Sequence, residues 1–438
     1  MSAATGGHPV RVFLQEFSIP LIAGVVAALA AANMNPEGYA HLLHLKVLFG
    51  YDVHFLVNDI FMVLFFGIAA KEIAESCLPG GALNPPSKAI NPLFGTIGGV
   101  LGPVAVYFGL VHGFGQADTY ARGWGIPTAT DIALAWLVAR MVFGKGHPAV
   151  NFLLLLAVAD DAIGLGIIAI FYPDAAHPVQ PAWLALTAVS AGVAYAMRRM
   201  DVRSWPLYLL GPGVMSWVGL HSAHLHPALA LVFVVPFMPH GRRDQGLFAE
   251  EVDEHGHAVH PEDTLNRFEH SMKAFVDFGL FFFAFANAGV MFSDIGPGTW
   301  YVLAALLVGK TVGITACSWV GIKCGFPLPE GMNIRSLAVA GMIAGLGLTV
   351  ALFVAGEAFT GTVQAEAKMG ALFSAGIAFL AIAAGRALRV RELDTVNSVE
   401  TVDPSAPEAT VLGKPAVEAV AEATEATPEA KEVVQAQD

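Results

Sequence analysis

The chain is 438 residues long, 55% of them hydrophobic and 13% charged, whereas a soluble domain carries about 25% charged residues. This composition excludes a soluble globular protein and describes one that spans a membrane. The formal net charge is −13, but eleven acids against two bases fall between Glu392 and Asp438, so most of it belongs to the end of the chain.

Apolar runs of about 20 residues, the length that crosses a hydrocarbon core of about 30 Å, occur twelve times. Their spans are 12–33, 55–76, 92–112, 121–141, 148–171, 182–197, 205–220, 222–239, 273–292, 299–320, 335–358 and 369–387. The first carries "AALAAA" near its end, as a cleaved leader would, but it also holds Glu16 and is long, which predicts an uncleaved first span. Lys and Arg collect at the amino-terminal flank, at the even-to-odd junctions and after the last span, for example Arg11, Lys71, Arg140, Arg198, Arg242, Lys323 and Arg386. The opposite side holds only Lys46, Arg122 and Lys368, so the positive-inside rule makes both termini cytoplasmic.

Two spans read poorly as continuous helices. The fourth contains "GIPTATDIALAWL", with Pro127 and two threonines before Asp131, and the eleventh contains "AGMIAGLGLTVALF", with Gly345, Gly347 and Thr349 at its centre. Glycine and β-branched residues weaken helix, so both spans are expected to be interrupted. They sit second in the triplets formed by spans 3–5 and 10–12, which begin on opposite sides of the membrane. Paired interrupted segments of this kind point to inverted-topology repeats with a site near the midplane. Close helix packing is the alternative reading of these glycines, and the one that suits Gly95, Gly99 and Gly102 of the third span. The expected fold is an all-α integral membrane protein of twelve transmembrane helices over residues 1–391. An acidic, disordered cytoplasmic tail is expected over 392–438, because its Ala/Glu/Pro/Val composition offers no apolar run.

Charge inside the spans is the strongest functional signal. Asp131, Asp160, Asp161 and Lys310 each lie in an apolar run, at a cost of about 2.5–3.5 kcal/mol apiece before partners are found. One Asp with Lys310 could be an inert buried pair holding two helices in register, but that role does not cover three acids and one base. Adjacent helical residues point about 100° apart. One of Asp160 and Asp161 can therefore pair with Lys310 while the other faces a water-filled funnel. Hard cations prefer oxygen ligands, and Asp161, Asp160 and the Thr130 hydroxyl would supply them, with Asp131 a fourth candidate for cation or proton. Burial disfavours the charged form of a carboxylate, so protons and cations compete for the same oxygens. Asp131 and Lys310 also have the signs needed to compensate the dipole ends of broken helices.

At these residues the chain resembles the NhaA-type sodium/proton antiporters. The resemblance runs from about residue 11 to 391 through "TATDIALA", "LLLLAVADDAIGLGIIAIFY", "FFFAFANAGV", "LVGKTVGI" and "LPEGMNIRSLAVAGMIAGLGLTVALFVAGEAF", in that order. It implies a multi-pass protein of the bacterial inner membrane that exchanges protons for Na⁺ or Li⁺, with no enzymatic activity and no cofactor. It further implies that Asp161 is the main cation and proton ligand, assisted by Asp160 and Thr130. Asp160 would form a salt bridge with Lys310 that breaks during the cycle, and Asp131 would balance charge where the interrupted helices cross. A homodimer joined partly through residues 34–54 is also implied.

One departure stands out: "AAKEIAES" keeps Glu72 of the family's second-span ending but has Ala74 and Glu75 in place of a basic pair. That region belongs to the family's cytoplasmic pH response. His226, in "GLHSAHLHPALAL", best matches a family histidine linked to pH response, with a plain polar cap as the alternative reading. A second group, His255, His257 and His260, reads as a solvated loop rather than a metal site. Cys77, Cys317 and Cys324 have no metal-ligand or disulfide spacing.

Two other functions compete. An intramembrane aspartyl protease would need facing aspartates with a Gly-x-Gly-Asp signature, which the chain lacks, and has no use for Lys310. An organic-anion transporter on the same repeat plan would favour a basic lining over three acids. No nucleic-acid partner is expected.

Overall fold

The computed structural model describes residues 18–390 apart from 49, 80, 82, 85, 145, 174–176 and 242–262. The second histidine group and the acidic segment after 391 lie outside the described residues. Helix dominates throughout. In chain order the helices are α1 (Ile19–Met34), α2 (Val53–Ser76), α3 (Pro86–Gly113), α4 (Ala117–Thr128), α5 (Ile132–Phe143), α6 (Pro148–Phe171), α7 (Leu184–Arg199), α8 (205–222), α9 (Pro227–Phe237), α10 (Thr264–Asn287), α11 (Pro297–Lys323), α12 (Ile334–Ile343), α13 (Thr349–Ala358) and α14 (Gly361–Ala387).

Five of these, α2, α3, α6, α11 and α14, are each long and apolar enough to cross a membrane alone, and the pair α4 and α5, bent by 59°, would do so as one broken span. The shorter α1, α9, α12 and α13 are also apolar. Large apolar side chains such as Leu101, Ile170, Leu210 and Phe379 stand exposed on the outside. A water-facing surface would not tolerate such a spread of apolar groups, whereas lipid does. The inside is closed by fully buried Phe66, Phe152, Phe283, Tyr107 and Phe353.

Local sequence explains where the helices depart from the predicted spans. Two helices start before their apolar windows do: α10 begins at Thr264, where Asp263 accepts a hydrogen bond from the Asn266 N–H at 2.8 Å, and α11 begins at Pro297. Caps and first-turn prolines are polar or turn-forming, so a hydropathy window misses them. The eighth run folds as 3₁₀ turns, Pro227–Phe233 and Val235–Phe237, rather than as a regular α-helix. Pro227 and Pro236 remove donors from both pieces. The described residues contain one sheet, a hairpin of Lys46–Leu48 and Tyr51–Asp52 between α1 and α2.

The fourth and eleventh runs are interrupted, at 129–131 and 344–348. Beside these breaks α3 and α11 pack backbone against backbone. A Cβ added at Gly98 would come within 2.0 Å of the Gly313 carbonyl oxygen, and one added at Gly102 within 2.2 Å of that of Gly309. Only glycine permits this approach. Lys310 lies between Gly309 and Gly313 of α11 and follows a π-turn over Ala305–Gly309.

Candidate functional site at the helix crossing

The two breaks touch. The Asp131 N–H donates to the Leu346 carbonyl at 2.6 Å, and Gly347 passes so close that a Cβ there would lie 3.2 Å from the Ala129 carbonyl oxygen. Two helix amino termini, those of α5 and α13, therefore converge with the carboxyl termini of α4 and α12.

Asp131 serves both amino termini. Its Oδ1 accepts from the Leu134 N–H at 3.1 Å, while Oδ2 accepts from the Thr349 hydroxyl at 2.9 Å and the Thr349 N–H at 3.3 Å. Helix amino termini carry partial positive charge, so one carboxylate neutralises two of them. With both oxygens engaged, Asp131 is arranged for charge compensation, the second of its two expected roles, and leaves little for a cation to bind.

The opposite charge answers the carboxyl termini. Lys310 Nζ donates to Asp160 Oδ2 at 2.6 Å and to Thr130 Oγ1 at 2.7 Å, with the side chains of Lys310 and Asp160 fully buried. Thr130 Oγ1 in turn lies 2.9 Å from the Ala344 carbonyl oxygen and 3.0 Å from Asp160 Oδ2. A hydroxyl has one proton, so it accepts from Lys310 and donates to one of these oxygens at a time. The ammonium thus occupies two of the expected cation ligands, Asp160 and Thr130.

What remains open is informative. Asp160 Oδ1 and Asp161 Oδ1 are both buried without a hydrogen-bond partner, an arrangement that costs free energy unless something else occupies it. Asp161 lines a cavity together with Phe65, Phe66, Ala69, Leu165 and Val350. Gly99 leaves the space beside Asp160 clear, since a Cβ there would stand 3.3 Å from Oδ1. An unpartnered carboxylate oxygen in a cavity wall can hold a proton or a small hard cation. Among the described residues there is no cluster of three or more His, Cys, Asp or Glu fit for a tightly held metal.

The remaining expected residues lie elsewhere. Glu72 sits 3.7 Å from Lys71 at the far end of α2, where Lys71 also pairs with Glu75 and, at 2.5 Å, with Glu269 of α10. Ala74 and Glu75 still stand where the family has a basic pair, and the base of this stretch is Lys71, whose spacing of four from Glu75 is readable in the sequence, whereas Glu269 is remote and left no signal. His226 caps α9 through Nδ1, which accepts from the Ala228 N–H at 3.3 Å, and its Nε2 meets Glu357 Oε1 at 3.0 Å. The capping reading is therefore realised, with a carboxylate partner that sequence reasoning missed.

A family model described as Na⁺/H⁺ antiporter 1 matches residues 15–385. The chain belongs to that family. The NhaA Na⁺/H⁺ antiporter of Geobacter metallireducens is 59% identical over 384 residues, covering 87% of this chain and 98% of that one. Its counterpart in Geobacter sulfurreducens is 58% identical over the same shares, and the Jannaschia sp. protein is 42% identical over 422 residues, covering 87% and 98%. Family membership leaves the protease and organic-anion readings without support.

Proposed function

We propose that the chain is a secondary transporter that exchanges protons for Na⁺ or Li⁺ at Asp161 and Asp160. The buried, unpartnered Oδ1 of Asp161, a residue lining the cavity, with that of its neighbour Asp160 likewise unpartnered, carries this reading of the site. With no cation bound, a proton neutralises Asp161 while Asp160 stays paired with Lys310. An arriving cation takes the free oxygens, expels the Asp161 proton, and weakens the hold of Asp160 on Lys310 by competing for the same charge. Lys310 then relaxes toward Thr130 and the Ala344 carbonyl, which links occupancy of the site to the crossing itself. More than one proton released per cation makes the exchange electrogenic.

The family assignment supports a multi-pass bacterial membrane protein acting on cations and protons. Twelve crossings, inverted repeats of spans 3–5 and 10–12, both termini in the cytoplasm of the inner membrane, and a homodimer through 34–54 complete the proposal. Exposed Val47 and Tyr51 on the hairpin give the dimer an apolar surface to use.

The test is to seal the full chain in acid-loaded vesicles, add Na⁺, Li⁺ or K⁺ outside, and follow the pH gradient. Na⁺ or Li⁺ should collapse it, and Asp161→Asn should abolish that response. A variant as active as the parent would remove Asp161 from the site.

A further inference from the structure

Two aromatic rings, Phe65 and Phe66, line the cavity at Asp161. Phe66, which lines it, packs edge-on against Phe353 of α13, with centroids 5.1 Å apart and planes at 78°. Phe65 backs Phe66 at 5.5 Å. On the far side of Phe353 stands the His226 ring, 4.7 Å away and tilted by 63°.

The same imidazole binds Glu357, one turn beyond Phe353 on α13, at 3.0 Å. Because Nδ1 is an acceptor in the α9 cap, the proton shared with Glu357 is the one at Nε2. A single side chain thus touches two residues spaced i and i+4 on α13, holding one ring by contact and one carboxylate by hydrogen bond. The other charged or titratable groups around the pair are Asp59 and His54 on α2 and Lys368 on α14.

We propose that Phe66 and Phe353 are the closure separating the Asp161 cavity from the side of the protein that carries Glu357, and that the His226–Glu357 pair is the latch that keeps Phe353 in place. A cation, with or without its water, has no path between two phenyl rings in contact. Passage to that side therefore requires Phe353 to leave Phe66. Phe353 gates the route, while Glu357, acting through His226, is a positioning residue. The proposal rests on the antiporter reading for its purpose, not for its geometry.

The test uses the full chain with Cys77, Cys317 and Cys324 replaced by Ala and Leu165→Cys added, one turn from Asp161 in the cavity lining. Labelling by a charged, membrane-impermeant methanethiosulfonate is timed without Na⁺ in sealed vesicles of each orientation. Phe353→Ala and Glu357→Ala should label about tenfold faster than the parent, equivalent to about 1.4 kcal/mol of easier opening, and only from the Glu357 side. Glu357→Gln, whose amide oxygen still accepts from Nε2, should stay near the parental rate, a rescue that a general loosening of the fold would not give. Phe353→Leu, close in volume to the parent residue, serves if the alanine variant is not monodisperse. Unchanged rates, or acceleration from both sides, would overturn the closure. Labelling needs no transport, so failure of Asp161→Asn to abolish exchange would strike the proposed site and leave this result standing.

Discussion

Single residues decide whether a cation fits at Asp160 and Asp161. Gly99 is the sharpest case, because its missing side chain keeps clear a space beside Asp160 Oδ1 that a methyl would reach at 3.3 Å. Gly99→Ala should raise the half-maximal Na⁺ concentration several-fold, with less effect on the maximal rate and a smaller effect for Li⁺, the narrower ion. Initial rates of gradient collapse at graded Na⁺ and Li⁺ would check this, and equal losses for both ions would count against a steric cause. Much at this scale was legible in the sequence: acids in an apolar run are costly enough to signal themselves, and Asp160, Thr130 and Lys310 do come together, with Asp161 next along the helix. Which oxygen stays free was not legible. It depends on Lys310 approaching from a helix 150 residues away, and no local pattern encodes that geometry.

The elements explain why those residues can meet. Both breaks were foreseeable from Pro127, Gly345 and Gly347, whose backbones favour other conformations over helix. That one carboxylate would serve two helix starts was not, because Leu134 is local to Asp131 whereas Thr349 is 218 residues away. Asp131→Asn keeps the size but loses the charge and turns an amide donor toward N–H groups. It should lower folding stability by about 2 kcal/mol, the combined scale of a helix cap and a helix-dipole charge. Thermal unfolding in detergent, followed by loss of the monodisperse peak, would show it; an unshifted midpoint would mean that the two helix starts do not depend on the carboxylate. Glu357 shows the limit of reading elements singly. On α13 alone it is a lone acid near a helix end, and its meaning appears only when α9 brings His226 to it.

For the whole molecule, transport is a matter of charge moved through a field. If Asp160 and Asp161 together release more protons than the cations they accept, each cycle carries net charge, worth about 2.3 kcal/mol per elementary charge per 100 mV. Clamping the vesicle potential with K⁺ and valinomycin at a fixed pH gradient should therefore change the exchange rate, and should reverse its direction near balance. Indifference to potential would mean one proton per cation. The contact between α3 and α11 bears on any such cycle. Gly98, Gly102, Gly309 and Gly313 meet through main chain alone, and main chain has no alternative rotamers with which to repack. Sliding or tilting one helix against the other would force carbonyl oxygens into Cα atoms, so the two travel as one body. The backbone of Lys310 then travels with that body, and its ammonium reaches the crossing only through the length of its side chain.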